Sequence, residues 1–198
     1  MNKKKTFLLY KILRFIGTPF FKLYFSPKII GKEKIIKDGS LLLVGNHIHA
    51  LDPLLVDICT NRVVHTLAKS ELFKGKFGFF FKKIGAISVD LEASKNPDAL
   101  TKAISFLKDG KLVNVSPEAA RNYTDELLLP FKKGAVIMSK ETNTLILPYC
   151  IIGDYKFRSN NLKIIFGDYL DIRDKDIEEA NQILFEEIKD LLLKHKYE

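Results

Sequence analysis

Cysteine is scarce in this sequence, and its scarcity argues against two classes of protein. Only two of the 198 residues are cysteines, Cys59 and Cys150, and they lie far apart in the chain. A disulfide framework and a metal-binding or redox cysteine motif are therefore not expected, and each cysteine should be a small buried side chain. This usage is typical of a protein that works in a reducing cytoplasm.

Acidic residues are nearly missing from the first part of the chain. Residues 1–37 contain ten of the 32 Lys and Arg residues but only one of the 24 acidic residues, Glu33. The rest of the chain carries 22 basic and 23 acidic residues, so the formal net charge of +8 belongs to the N-terminal segment. No recognisable nucleic-acid-binding motif accompanies this charge, and we expect no nucleic-acid partner.

A long uninterrupted apolar run is missing too, although residues 3–25 are rich in Phe, Leu, Ile and Tyr. Lys11, Arg14 and Lys22 interrupt this stretch, whereas a spanning helix needs about 20 predominantly apolar residues. No small-residue cleavage site follows, which argues against a signal peptide. We expect an amphipathic helix in the membrane interface, broken into two segments at residues 17–19 (Gly-Thr-Pro). A disordered basic leader and a helix packed on the domain are the alternatives.

Short apolar runs alternate with helical patterns along the rest of the chain. Strands are predicted at residues 41–45, 63–68, 86–89, 112–115, 145–152 and 162–166. Helices are predicted at residues 53–60, 97–107 and 132–141 and, at the C-terminus, over the apolar face that runs from Ile177 to Leu191. The alternation predicts an α/β fold: a single domain with a mixed β-sheet flanked by helices and an N-terminal amphipathic membrane-associating segment. We place that segment at residues 1–30 and the domain at residues 31–198.

A polar stretch at residues 46–53 follows the first buried strand and opens a helix. A neutral His47 could accept a hydroxyl proton at physiological pH, and a carboxylate on its other ring nitrogen would fix the tautomer. Asp52 could be that carboxylate if a turn brings the two side chains together. Asp52 is equally well placed to cap the helix that begins beside it, and the spacing alone does not decide between these roles.

A metal site is the second possibility for this stretch, because His47 and His49 form an HxH pair. Such a pair needs further ligands. The remaining histidines, His65 and His195, are predicted in a strand and at the end of the C-terminal helix. We therefore expect no metal, and a histidine-rich metal hydrolase is disfavoured.

Five short motifs occur in a fixed order along the domain. They are Asn46, His47 and Asp52 (NHxxxxD); Lys69, Glu71 and Leu72; Gly85-Ala86-Ile87 with Val89-Asp90; Pro117-Glu118-Ala119-Ala120-Arg121; and Phe131-Lys132-Lys133-Gly134-Ala135, before a strand containing Leu147-Pro148. Over roughly residues 31–170 this order resembles the lysophosphatidic acid acyltransferase family, the PlsC-like glycerolipid acyltransferases.

The resemblance implies transfer of an acyl group from acyl-CoA or acyl-carrier protein to the free hydroxyl of a lysophospholipid, without a cofactor. It implies His47 as general base and Asp52 as its orienting partner. It further implies that Arg121 binds the acceptor phosphate, that Glu118 organises the acceptor site and that Lys69 adds positive charge near the phosphate or the oxyanion. Without the resemblance, Glu118 and Arg121 could form a surface ion pair and Lys69 could be an ordinary solvated side chain.

Three positions depart from the family pattern. Ala119 and Ala120 replace Gly and Thr of the usual Pro-Glu-Gly-Thr-Arg, and Leu91 stands where an Arg often follows Asp90. These changes remove a flexible position, a hydroxyl and a phosphate contact. A different lysolipid acceptor and a non-catalytic lipid-binding relative are therefore the alternatives to an enzyme acting on 1-acylglycerol-3-phosphate.

A second basic and aromatic stretch, FKGKFGFFFKK, lies at residues 73–83. It is too apolar for a solvated face and too basic for an ordinary core helix, so we expect a second membrane contact or part of an acyl-chain groove. The end of a core helix is the alternative. Because the acceptor and product of such an enzyme live in the bilayer, we expect a peripheral protein at the cytoplasmic face of the cell membrane.

Overall fold

The computed structural model describes residues 7–76, 78–91 and 96–196. Residues 1–6, 77, 92–95 and 197–198 lie outside this description. Parts of both predicted membrane contacts, residues 3–6 and Phe77, are therefore outside the described residues.

Seven strands and seven α-helices are present within the described residues. The strands are β1 (Lys28–Ile30), β2 (Leu41–Gly45), β3 (Val64–Lys69), β4 (Ile87–Val89), β5 (Leu112–Val115), β6 (Ile146–Ile152) and β7 (Lys163–Phe166). The helices are α1 (Leu8–Phe25), α2 (Asp52–Asp57), α3 (Glu71–Lys74), α4 (Gly78–Ile84), α5 (Pro97–Lys108), α6 (Gly134–Thr142) and α7 (Ile177–His195).

All seven strands form one sheet in the order β1-β7-β6-β2-β5-β3-β4. The five strands from β6 to β4 are parallel, whereas β7 runs antiparallel to β6 and carries β1 parallel to itself. The sheet is thus mixed and flanked by helices, which confirms the predicted fold class. The central strand β2 is buried along its whole length, as expected for a parallel strand covered on both faces.

The two faces of the sheet pack against different helices. Leu42 and Val44 point into an apolar cluster with α5, α6 and α7. Leu41 and Leu43 point into a second cluster, which contains Leu55 and Val56 of α2 and Phe21 of α1. This alternation follows from the two-residue period of a strand, and it gives a three-layer arrangement of helices, sheet and helices.

The N-terminal helix α1 is continuous, so the predicted break at residues 17–19 is wrong. Pro19 lies inside the helix. Its missing N–H leaves the carbonyl of Phe15 without its usual partner. Phe15 lies on the exposed side of α1, with 82% of its surface accessible. Its carbonyl can therefore be hydrated there, which lowers the cost of the proline.

Helix α1 is docked on the domain by residues at both of its ends. Near its start, the Tyr10 hydroxyl donates to Asp57 Oδ1 over 2.9 Å, and Arg14 donates to the Thr60 carbonyl and to Asn61 Oδ1. Near its end, Phe21 is buried in the second apolar cluster. None of the helices in the described ranges is both long and apolar enough to cross a membrane.

Candidate active site

The side chains of His47 and Asp52 are in direct contact. His47 Nδ1 lies 2.7 Å from Asp52 Oδ2. Because a carboxylate only accepts hydrogen bonds, Nδ1 carries the proton in the neutral ring, and Nε2 is left as the acceptor. The His47 side chain is 25% exposed and that of Asp52 only 2%. The pair therefore presents a histidine to solvent and keeps its carboxylate in the interior.

Asp52 does not cap α2, although the sequence allowed that role. Its Oδ2 accepts hydrogen bonds from the backbone N–H groups of Ile48 and His49, both at 2.8 Å, which lie before the helix. Its Oδ1 accepts a hydrogen bond of 2.7 Å from the Tyr155 hydroxyl. The carboxylate thus closes the loop that carries His47 back onto the start of α2.

Asn46 and Gly45 fix the loop after β2 against the neighbouring strand β6. The Asn46 side chain donates to the Ile151 carbonyl at 2.9 Å and accepts from the Ile151 N–H at 2.7 Å. A Cβ on Gly45 would lie 2.2 Å from the Tyr149 ring, so only glycine fits between the loop and β6. Both contacts tie His47 to the rigid centre of the sheet.

Glu118 supports the same loop from the side of β5. Its Oε1 accepts from the His47 N–H at 2.9 Å and its Oε2 from the Leu129 N–H at 2.7 Å. Glu118 is 5% exposed. Burial raises the pKa of its carboxyl, although the two backbone donors act in the opposite direction. Glu118 does not form the surface ion pair with Arg121 that the sequence alone allowed.

The two predicted cationic residues lie further out. Arg121 is exposed and its guanidinium carbon lies 5.3 Å from the centre of the Tyr123 ring. The next residue, Asn122, donates its N–H to the His47 carbonyl at 3.0 Å, which places the backbone beside Arg121 next to the His47 loop. Lys69 ends β3, and its ammonium group lies 3.6 Å from Glu71. The structure therefore brings His47, Asp52 and Glu118 into one bonded group and leaves both cations at its periphery.

These residues share one edge of the sheet because the strands that precede them are parallel. His47 follows β2, Lys69 ends β3 and Glu118 follows β5, so all three lie at carboxyl ends. In open α/β sheets this is the edge where ligands bind.

Tyr155 is the residue of this group that the sequence analysis missed. It lies three residues after β6, and its ring stacks on that of His49, with 4.4 Å between ring centres. The one available signal was its position, because β6 runs parallel to β2 and ends at the same edge of the sheet. His49 also accepts the Leu51 N–H at Nδ1 over 3.2 Å. Within the described ranges, no group of three His, Cys, Asp or Glu side chains is arranged to hold a metal ion.

An acyltransferase family model matches residues 26–152. The 1-acyl-sn-glycerol-3-phosphate acyltransferase of Bacillus subtilis (strain 168) is 29% identical over 72% of this chain and 73% of its own length. The proteins of the same name from Borreliella burgdorferi and Helicobacter pylori (strain J99) are both 31% identical, over 73% and 71% of this chain. The matches cover only 57% and 61% of those two proteins.

The fold also occurs in a solved structure. The crystal structure of the 1-acyl-sn-glycerophosphate (LPA) acyltransferase, PlsC, from Thermotoga maritima superposes with a TM-score of 0.73 at 22% identity. The superposition covers 95% of this chain and 79% of that chain. At this identity the likeness establishes a common fold.

Proposed function

The chain belongs to the acyltransferase family, and we propose that it transfers a fatty acyl group from a thioester to the free hydroxyl of 1-acylglycerol-3-phosphate, giving phosphatidic acid. The contact between His47 Nδ1 and Asp52 carries this proposal, because it prepares a histidine to remove a hydroxyl proton. The names of the three bacterial relatives support the choice of acceptor.

The proposed reaction needs no covalent acyl-enzyme. His47 Nε2 takes the proton of the acceptor hydroxyl while the hydroxyl oxygen attacks the thioester carbonyl carbon. The tetrahedral intermediate then expels the thiolate, which takes up the proton from His47. Asp52 stabilises the imidazolium that exists between these two steps, as a buried carboxylate does in hydrolase triads. The donor is acyl-CoA or acyl-carrier protein, both of which supply the same thioester.

The two peripheral cations fit the charges of this reaction. Arg121 has a planar, permanently charged guanidinium suited to bidentate binding of the acceptor phosphate. Lys69 adds positive charge near that phosphate or near the developing oxyanion. Glu118 organises the acceptor side by holding the His47 N–H.

The proposal includes contact with the membrane through α1 and the neighbouring α4. Large apolar side chains are exposed along α1: Leu8, Ile12, Leu13, Phe15, Ile16, Phe20, Leu23 and Tyr24. Lys11 and Lys22 are exposed on the same helix. Helix α4 packs beside α1 and exposes Phe79, over which Lys83 lies at 4.3 Å. Exposed apolar groups next to lysines suit an interface with anionic lipids at the cytoplasmic face of the membrane.

A different lysolipid acceptor is the second candidate, and Leu91, Ala119 and Ala120 favour it. Leu91 is a 40% exposed apolar side chain, so the guanidinium that the family often has there is missing. A non-catalytic lipid-binding relative is the third candidate. The bonded group around His47 argues against it, since lipid binding alone does not require a base and an orienting carboxylate.

The test is acyl transfer from labelled acyl-CoA and labelled acyl-carrier protein to a panel of lysolipids, with the His47→Ala variant as comparison. We expect labelled phosphatidic acid from the wild type and a loss of about a thousandfold or more in the variant, as is usual when a general base is removed. Label on another lysolipid would replace the proposed acceptor. Full activity in His47→Ala would eliminate His47 as the base. No transfer by folded wild type would leave the lipid-binding candidate.

A further inference from the structure

Tyr155 lies between the His47–Asp52 pair and the N-terminal helix. Its hydroxyl donates to Asp52 Oδ1 at 2.7 Å, the oxygen that His47 does not use. Burial and the charge of Asp52 raise the pKa of this hydroxyl, so it remains a neutral donor at physiological pH. Tyr155 therefore occupies the half of the carboxylate that faces away from the imidazole.

The ring of Tyr155 is held from two sides. On one side it stacks on His49, with planes 19° apart. On the other side it meets two rings of α1 edge-on, Phe25 at 5.6 Å and Phe21 at 6.4 Å between ring centres. Edge-to-face and stacked pairs at these distances are favourable, so the ring has a defined position.

The loop that carries Tyr155 is tied to the end of the same helix. The Arg158 N–H donates to the Tyr24 carbonyl at 2.8 Å, and the Phe157 ring lies 5.1 Å from that of Tyr24. A displacement of the C-terminal half of α1 would thus pull on the loop as well as on the Tyr155 ring.

We propose that Tyr155 is a positioning residue of the acyl-transfer site, which orients Asp52 and through it His47, and that α1 holds Tyr155 in place. The inference rests on the proposed function. It makes the exposed helix α1 part of the support of the site. Displacement of α1 then changes the orientation of the carboxylate, and with it the tautomer and the direction of His47.

The first experiment compares Tyr155→Phe with Tyr169→Phe, both of which remove one hydroxyl and keep the ring. Tyr169 donates to the Lys34 carbonyl, away from the site, and serves as the matched control. A hydrogen bond to a charged group typically supports about a tenfold effect. We expect kcat to fall by about tenfold in Tyr155→Phe with an unchanged KM for the acceptor, and no change in Tyr169→Phe. A rise in KM without a change in kcat would overturn the positioning role.

The second experiment asks whether Tyr155 acts through Asp52. Tyr155→Phe is introduced into Asp52→Ala, which retains no carboxylate to orient. We expect the loss caused by Tyr155→Phe to disappear in that background, because residues that act as a unit are not additive. An equal loss in both backgrounds would contradict the proposal.

The third experiment tests the role of α1 with Phe25→Ala and, as control, Phe185→Ala. Both are half-buried phenylalanines of helices, but Phe25 contacts Tyr155, whereas Phe185 lies on α7 and packs on Phe131. We expect Phe25→Ala to lower kcat in the wild type and to add nothing to Tyr155→Phe, while Phe185→Ala leaves kcat unchanged. Additive losses from Phe25→Ala and Tyr155→Phe would exclude support through the Tyr155 ring.

A measurement without turnover separates failure of this inference from failure of the proposed function. The ring Nδ1 proton of His47 is observed by NMR in histidine-labelled protein and assigned by its loss in His47→Gln. We expect the chemical shift of this proton to change in Tyr155→Phe and to remain unchanged in Tyr169→Phe. An unmoved signal overturns the inference even if the wild type is an active acyltransferase. A moved signal supports it even if no lysolipid is acylated.

Discussion

At the scale of single residues, Ala119 adopts a backbone conformation that suits glycine. Its φ is 56°, in the left-handed region, and its N–H closes a turn onto the Ser116 carbonyl at 3.1 Å. A residue with a Cβ pays about 1–2 kcal/mol for this region. The turn leads from β5 to Glu118 and Arg121, so the strain lies within the candidate site.

Replacement of Ala119 by Gly should therefore stabilise the protein. We expect the free energy of unfolding to rise by about 0.5–1 kcal/mol, because the relief of left-handed strain exceeds the entropy cost of glycine. Urea denaturation measures the change, and Ala120→Gly is the matched control. Ala120 does not have a positive φ, so the same substitution should destabilise there by about 0.4–1 kcal/mol. Destabilisation by Ala119→Gly would contradict this prediction and show that alanine stabilises the turn relative to glycine.

The sequence indicated that the side chains of His47 and Asp52 could meet, but it did not indicate Tyr155. The first two lie five positions apart within one recognisable motif, and a single turn brings them together. Tyr155 reaches Asp52 from 103 positions away, in a loop without a distinctive pattern. Its role depends on the order of strands in the sheet, which local patterns do not specify. Glu118 was named from its motif, but its bond to the backbone of His47, which spans 71 positions, was not predicted for the same reason.

At the scale of elements, α1 has two faces with different tasks. Tyr10 and Phe21 are buried against the domain, whereas Phe15 and Phe20 are 82% and 68% exposed. One face of the helix packs on the domain, which was one of the alternatives to the expected interfacial helix. The other face is exposed, and contact with the membrane through it stays a prediction.

The exposed face should determine the affinity for membranes. We expect the double variant Phe15→Ser and Phe20→Ser to bind anionic lipid vesicles at least about tenfold more weakly, because each Phe side chain transferred from water contributes about 1.5–3 kcal/mol. Cosedimentation with phosphatidylglycerol vesicles measures the loss. Leu193→Ser, at an exposed position of α7, is the control and should leave binding unchanged. Equal binding by the double variant would move the membrane contact away from α1.

The sequence predicted six of the seven strands of the described sheet correctly and missed β1. All six predicted strands occur within one or two residues of their expected bounds, because each combines a buried apolar run with flanking turn residues. β1 was missed because it has only two apolar residues and is formed by pairing with β7, far along the chain. The predicted break in α1 does not occur, because the packing of Tyr10 and Phe21 on the domain outweighs the free-energy cost of Pro19 inside the helix.

At the scale of the whole molecule, two buried titratable groups have opposite effects on how the stability of the fold depends on pH. Burial raises the pKa of Asp57 from 3.8 to about 7, so in this range the folded protein holds a proton that the unfolded chain has released. Stability then falls as the pH rises. Burial lowers the pKa of His65 from 6.5 to about 4, so the folded protein lacks a proton that the unfolded chain holds, and stability rises with pH. The two contributions partly cancel between about pH 4 and 6.5.

Single substitutions should separate these contributions. We expect Asp57→Asn to make the free energy of unfolding rise more steeply with pH, and His65→Asn to make it fall with pH, each by up to about 1.4 kcal/mol per pH unit. His65→Asn keeps a donor for the Gly85 carbonyl, which His65 Nδ1 contacts at 2.8 Å. Urea denaturation at several pH values gives the slopes. Changes of the same sign in both variants would contradict the assignment.

The sequence separation of the contacts made by the N-terminal region has a consequence for synthesis. The Tyr169 hydroxyl donates a hydrogen bond to the Lys34 carbonyl, 135 positions earlier in the chain, and β1 pairs with β7 across a similar sequence separation. At about 5–20 residues per second, a ribosome needs roughly 7 to 27 s to make that interval. For most of this time the C-terminal end of α1 lacks Tyr155, Phe157 and Arg158, which contact it in the folded protein. If α1 contacts the membrane as proposed above, we expect the nascent helix to reach the bilayer before β1 pairs with β7, so that membrane contact precedes completion of the sheet.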